Sequence, residues 1–100
     1  MPWTIFAIPN DHRAALDAAL KDDLVSRQSH TVRDGAGVGA ASATIIVLVE
    51  GGADAVRRAE ELLAPAGTRL GGEEAERLYR RLKDEQDAAS AGMGLFFTEE

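Results

Sequence analysis

Apolar and β-branched residues are concentrated in two short stretches of the chain, from Trp3 to Ile8 and from Ala43 to Glu50. Turn-forming residues follow both stretches, and this pattern is typical of β-strands. Two other stretches, Ser29 to Arg33 and Thr68 to Leu70, are shorter and more polar. Short, charged strands are expected at the edges of a sheet. The pattern therefore predicts two central strands and two edge strands.

An apolar stripe with helical spacing follows the first strand. Leucines recur every four residues from Leu16 to Leu24 and predict one amphipathic helix that extends to about Val25. Asn10 or Asp11 is the expected N-cap, because either side chain accepts a hydrogen bond from an otherwise unpaired backbone N–H.

Two more helices are predicted in the second half of the chain. One begins at about Ala53 and ends at Pro65, and the other begins at Glu73 and ends at about Gly92. Their apolar positions are Val56, Ala59, Leu62 and Leu63 in the first, and Ala75, Leu78, Tyr79 and Leu82 in the second.

The order strand, helix, strand, strand, helix, strand is that of the ferredoxin-like split βαβ sandwich, an α+β fold. Its antiparallel sheet has the order 4-1-3-2, which places the two apolar strands in the centre. The third helix and an apolar tail, Met93 to Thr98, are additions. We expect a single domain, residues 1–100, with a core of about 1–72 and a C-terminal helix and tail of about 73–100. A small parallel α/β sheet is the alternative.

Both faces of the predicted sheet are apolar. Successive side chains of a strand point to opposite faces, so Trp3 and Ile5 share one face while Phe6 and Ile8 share the other. An uncovered face would forgo about 1.5–3 kcal/mol for each large side chain. A homo-oligomer, by default a two-fold dimer, is therefore expected to cover the second face. The expected interface residues are Trp3, Phe6, Ile46, Leu48, Phe96 and Phe97.

A monomer is the alternative to this assembly. In it, the third helix and the Phe96–Phe97 tail cover the second face of the sheet within one chain.

Composition and charge exclude several classes of protein. The 100 residues include no cysteine, which excludes disulfide scaffolds, thiolate zinc sites and thiol nucleophiles. A net charge of -6 argues against binding to the phosphate backbone of nucleic acids. Because no apolar run is long enough to cross a membrane, we expect no membrane partner and a cytoplasmic protein.

Glycines at Gly35, Gly37 and Gly39 match the GxGxxA spacing of dinucleotide-binding loops. A strand rather than a helix follows them, so a dinucleotide site is not favoured. The main expectation is a mobile hairpin connection. The functional alternative is a loop whose backbone N–H groups contact a small anionic ligand or a partner protein.

Few residues indicate catalysis. His30 with Asp34 or Glu50 forms a weak candidate acid–base pair, and no histidine belongs to a metal-binding motif. The serines lack the GxSxG motif of a nucleophile elbow. We therefore expect neither a metal nor a cofactor.

The third helix carries both signs of charge. Glu73–Arg77, Glu76–Arg80 and Arg81–Glu85 are i,i+4 pairs that predict a self-neutralised, solvated face. A face that contacts a partner is the alternative.

Together these patterns favour a non-enzymatic, small oligomeric module that binds a partner protein or a small ligand. The alternative function is that of a small dimeric α+β-barrel enzyme. Its pocket between sheet and helices would be lined by Trp3, Phe6 and Tyr79, with His30 or Asp34 as the base.

Overall fold

A computed structural model of the chain describes the backbone of residues 2–40 and 42–98, and the side chains of residues 2–40 and 42–85. The strands are β1 (Trp3–Pro9), β2 (Ser29–Asp34), β3 (Thr44–Glu50) and β4 (Thr68–Arg69). The helices are α1 (Arg13–Leu20), α2 (Asp23–Ser26), α3 (Ala53–Leu63) and α4 (Gly72–Thr98). Short 3₁₀ turns occur at Asn10–His12 and Ala36–Val38.

The four strands form one antiparallel sheet in the order β2-β3-β1-β4. This is the strand order expected from the sequence, with the apolar strands in the centre and the polar strands at the edges. β1 and β3 pair along their whole length, from Trp3 opposite Glu50 to Pro9 opposite Thr44. The α+β class and the antiparallel sheet are thus confirmed.

Apolar side chains are buried on both faces of the sheet, as the apolar residues at successive positions of β1 and β3 predict. The first core layer lies between the sheet and the helices α1, α2 and α3. It contains Phe6, Ile8, Leu16, Ala19, Val25, Ile45, Val47, Val49, Ala59, Leu63 and Ala66. The second layer lies beneath α4 and contains Ile5, Val38, Ile46, Leu48, Leu78 and Leu82. In the described part of the chain, helices therefore cover both faces of the sheet, which removes the reason for expecting a second protomer on either face.

The single helix predicted after β1 is wrong in two respects. The chain forms α1 and then α2, with a break at which Asp22 accepts a hydrogen bond from the Val25 backbone N–H at 3.3 Å. The break changes the helical phase, so Leu24 is 40 % exposed while Val25 is buried. Neither Asn10 nor Asp11 caps α1, since both lie in the 3₁₀ turn that precedes it and no side-chain cap is formed there.

α4 does not end at Gly92 but continues to Thr98, so the separate tail predicted from Met93 is wrong for the backbone up to that residue. A glycine inside a helix costs about 1 kcal/mol relative to alanine, which is too little to end a long helix by itself. With 27 residues, α4 is about 40 Å long and exceeds the seven-residue central strands, which span about 24 Å.

The packing of α4 is tested by a substitution in the second core layer. Leu78→Ala is expected to lower the free energy of unfolding by about 2–5 kcal/mol, because it truncates a fully buried side chain. Leu24→Ala makes the same chemical change at a half-exposed position and is expected to cost less than about 1 kcal/mol. Urea unfolding followed by the fluorescence of Trp3, the single tryptophan, measures both. A Leu78→Ala protein as stable as wild type would show that α4 does not pack on the sheet.

The break between α1 and α2 predicts a specific pH dependence. Asp22 Oδ1 accepts hydrogen bonds from Arg58 Nε at 3.3 Å and Nη2 at 3.2 Å, and this interaction holds the pKa of Asp22 below its ordinary value of 3.8. The unfolded carboxyl group binds its proton more tightly, so the ionised carboxylate stabilises the fold above about pH 4. That contribution is lost as the pH falls through the lowered pKa.

We therefore expect wild type to be more stable than Asp22→Asn at pH 6, with the difference closing below about pH 4. Asparagine keeps the helix cap, so the comparison isolates the charge. Asp17→Asn, at an exposed carboxylate without an ion pair among the described residues, is the control. A pH-dependent difference of the same size at Asp17 would contradict the assignment to the Arg58 contact.

Candidate functional site

The first part of the glycine-containing connection between β2 and β3, residues 35–40, folds back on itself. The Gly35 N–H donates to the Thr44 carbonyl at 2.8 Å, and the N–H groups of Val38 and Ala40 both donate to the Gly35 carbonyl. Gly39 has a φ of 77°, a left-handed conformation that favours glycine. The N–H groups of Gly35, Val38, Gly39 and Ala40 are therefore used inside the hairpin. These four groups are therefore not available to an anion, and ligand binding at Gly35, Gly37 and Gly39 stays a prediction.

The connection packs against α4. Val38 is 2 % exposed and lies in the core layer beneath that helix. Arg81 Nη2 donates to the Gly37 carbonyl at 3.4 Å. The guanidinium of Arg77 lies over Gly39, where an added Cβ would be 3.5 Å from Nη1. Val38 of the connection and the first half of α4 thus line a surface groove.

This groove, which we call the α4 groove, has a volume of about 430 Å³. Its lining residues are Val38, Glu73, Glu76, Arg77, Arg80, Arg81 and Asp84. Volumes of this size are common among small-molecule sites. Three guanidinium groups and three carboxylates therefore line one concave surface.

Two of the three ion pairs predicted on α4 are not formed. Arg81 pairs with Glu85 at 3.5 Å, as expected. The prediction is wrong for Glu73–Arg77 and Glu76–Arg80, since neither pair has its charged atoms within 4.0 Å. Exposed i,i+4 pairs contribute only about 0.3–0.5 kcal/mol, so a neighbouring surface easily redirects the side chains. Among the residues whose side chains the structure describes, Arg77 and Arg80 consequently have no ion-pair partner.

A second polar cluster lies at the end of β3, where Glu50 is buried on the α4 side of the sheet with 7 % exposure. Tyr79 Oη donates to Glu50 Oε2 at 3.0 Å, and Lys83 Nζ donates to Oε1 at 3.2 Å. The Tyr79 ring also stacks on Trp3, with ring centroids 4.4 Å apart. Both carboxylate oxygens are thus paired, and the cluster attaches α4 to the sheet.

Sequence reasoning did not identify this cluster, although two signals were available. Glu50 continues the face of β3 that carries Ile46 and Leu48, which predicts a buried carboxylate. Tyr79 and Lys83 are four residues apart and so share one face of a helix. Only the packing of α4 on β3 brings the three side chains together.

The candidate acid–base pairs are not brought together. His30 lies opposite Val49 and faces the α1 side of the sheet, whereas Glu50 faces α4. Asp34 is four residues farther along the same strand, about 13 Å away. His12 forms a structural hydrogen bond, in which Nδ1 donates to the Ala66 carbonyl at 2.8 Å. Within the described part of the chain, no three His, Asp or Glu side chains are placed to hold a metal ion.

The residues expected at an interface have several locations. Phe6 lies in the first core layer, and Ile46 and Leu48 lie in the second, where the chain's own helices cover them. Trp3 is partly buried beside Tyr79. The side chains of Phe96 and Phe97 lie outside the described residues. Phe6 is buried in the first core layer, whereas Trp3 and Tyr79 are partly buried on the other side of the sheet, so the three residues do not line one pocket.

Tyr79 provides a direct test of the cluster, because it is the single tyrosine. Burial, and then the hydrogen bond to Glu50, raise the pKa of Tyr79 above its ordinary value of 10.0. Spectrophotometric titration of the native protein is therefore expected to have its midpoint above pH 10. Glu50→Gln should lower this midpoint and Lys83→Met should raise it. Glu85→Gln, on the same helix, should leave it unchanged.

The raised pKa of Tyr79 also predicts how the stability of the fold changes at alkaline pH. The native state retains the tyrosine proton more tightly than the unfolded chain does, so this contribution to stability is complete below pH 10. It is lost as the pH rises through the native pKa. A native midpoint equal to that of the urea-unfolded protein would contradict the Tyr79–Glu50 contact.

In the described part of the chain, no helix is both long enough and apolar enough to span a membrane. Comparison with known proteins gives no match: no family model, no curated protein sequence and no solved structure shows significant similarity to this chain.

Proposed function

We propose that this protein is a non-enzymatic binding module whose α4 groove takes a small anionic ligand. The observation that carries the proposal is the pair of guanidinium groups of Arg77 and Arg80, which have no ion-pair partner among the described residues. Residues three apart on a helix are neighbours, with Cβ atoms about 5–6 Å apart. Two adjacent arginines match a ligand with two negatively charged groups, such as a diphosphate or a dicarboxylate.

The other residues of the groove restrict what can bind. Glu73, Glu76 and Asp84 lie on the same surface and repel an extended polyanion. Together with the net charge of -6, they favour a small ligand over nucleic acid. The carboxylates also provide acceptors for hydroxyl or amino groups of a ligand.

The overall architecture is consistent with a binding module. We assign the domain to the ferredoxin-like plan, supported by the strand order and by α1 and α3 on one face of the sheet. The helix α4 is then an addition that builds the groove on the other face. A homo-oligomer and a cytoplasmic location remain predictions from the sequence.

Ligand binding is tested with inorganic pyrophosphate and succinate as probes. Isothermal titration is expected to detect binding at micromolar to millimolar concentrations, and the affinity should fall about tenfold or more in Arg77→Gln/Arg80→Gln. In two-dimensional NMR spectra, the perturbed amides should belong to residues 35–40 and 73–84. Arg57→Gln, at an exposed arginine of α3 without an ion pair among the described residues, is the matched control.

Two results would overturn the proposal. One is the absence of binding by either probe at about 10 mM, beyond the range of weak physiological ligands. The other is an equal loss of affinity in Arg57→Gln and in the double variant, because that would show a general charge effect rather than a site.

A further inference from the structure

The outer edge of β2 is a second surface that the proposed groove does not use. β2 is the edge strand of the sheet, with β3 as its one strand neighbour. It is six residues long, whereas the opposite edge strand β4 has two. Longer edge strands present backbone groups that pair readily with another strand.

The register of the sheet shows which backbone groups of β2 face outward. Gly35 donates its N–H to Thr44, which continues the β2–β3 register and makes these two residues a hydrogen-bonded pair. Hydrogen-bonded pairs alternate along an antiparallel ladder, so the odd-numbered residues of β2 direct their backbone groups toward β3. His30, Val32 and Asp34 therefore direct theirs toward the open edge.

The segment that contains these three residues is complementary to the same segment of a second copy when the two run antiparallel. If Val32 pairs with Val32 of a second copy, His30 lies opposite Asp34 of that copy, and Asp34 lies opposite His30. All three pairs are then of the hydrogen-bonded type, which gives about six backbone hydrogen bonds. A carboxylate faces an imidazole in two of them, and the two-fold symmetry relates these two contacts to each other. Both side chains are exposed and have no ion pair among the described residues.

Arg33 contacts this edge, since its Nη1 donates to the Val32 carbonyl at 2.9 Å. A carbonyl oxygen has two lone pairs and accepts a second hydrogen bond in the plane of the sheet. Arg33 also reaches Glu85 of α4 at 3.5 Å, so its guanidinium is drawn toward one face. The edge therefore remains open to an incoming strand.

We propose that β2 pairs antiparallel with β2 of a second copy, in the register that places Val32 opposite Val32, to form one continuous eight-stranded sheet. This inference rests on the predicted homo-oligomer and is independent of the α4 groove. It places the interface at the polar edge of the sheet rather than on the apolar faces, which helices of the same chain cover. An edge pairing of this length buries less than a standard interface of about 1,600 Å², so the dimer is expected to dissociate in the micromolar range.

Hydrogen exchange with the wild-type protein tests the register. As the concentration rises from about 10 µM to about 1 mM, across the expected dissociation range, the amides of His30, Val32 and Asp34 should become protected. Those of Thr31 and Arg33 serve as internal controls, because they already face β3. Equal changes at odd and even positions would overturn the register.

Sedimentation equilibrium of variants tests the contacts. His30→Glu places a carboxylate opposite Asp34 of the other copy and should weaken the dimer about tenfold, whereas His30→Lys at the same exposed position should keep or strengthen it. Val32→Pro removes an outward N–H without removing a hydrogen bond to β3 and should abolish the dimer. Circular dichroism confirms that each variant is folded.

The possible outcomes distinguish the predicted homo-oligomer from the proposed β2 interface. A wild-type mass that stays at 10.6 kDa up to about 1 mM would overturn both the homo-oligomer and this interface. A wild-type dimer that none of the three substitutions alters would overturn the interface alone. Neither result bears on pyrophosphate binding, which depends on Arg77 and Arg80.

Discussion

Leu78 and Leu82 of α4 pack on Ile46 and Leu48 of the sheet, and this contact determines where the features of the second face lie. Because β1 and β3 are apolar on both faces, helices on one side alone would leave several large side chains in water. The long C-terminal helix removes that cost within one chain. Once it is docked, the positions of Tyr79, Lys83 and the α4 arginines follow from the helical repeat.

Both polar clusters of the second face depend on this docking. Burial of Glu50 is tolerated because Tyr79 and Lys83 arrive with the helix and pair its two carboxylate oxygens. At the other end of the same face, Val38 inserts beneath α4 and brings the glycine-containing connection against the helix. The α4 groove is the space between them, so the surface proposed to bind a ligand arises from the packing that closes the core.

Particular residues show why the fold was more predictable than the site. The continuous apolar runs of β1 and β3 identified the central strands, and parity alone assigned each of their residues to a face. The break after α1 was missed because the leucine spacing is compatible with an uninterrupted helix, while the Asp22 cap and its Arg58 contact stabilise a break. The ion pairs of Arg77 and Arg80 were predicted wrongly, because surface ion pairs are weak. Segments that lie nearby in the fold but far away in the sequence therefore decide whether such pairs form.

The sequence by itself determined the number and order of the strands, the two apolar faces and the polar character of β2. These properties follow from local periodicity and from the energetic need to bury apolar surface. The tertiary structure decided that α4 covers the second face, and which charged groups among the described residues have no ion-pair partner. It also decided that His30 and Glu50 lie on opposite sides of the sheet. These outcomes depend on contacts between residues distant in the sequence, because packing and register, rather than residue type, set the distances between charged atoms.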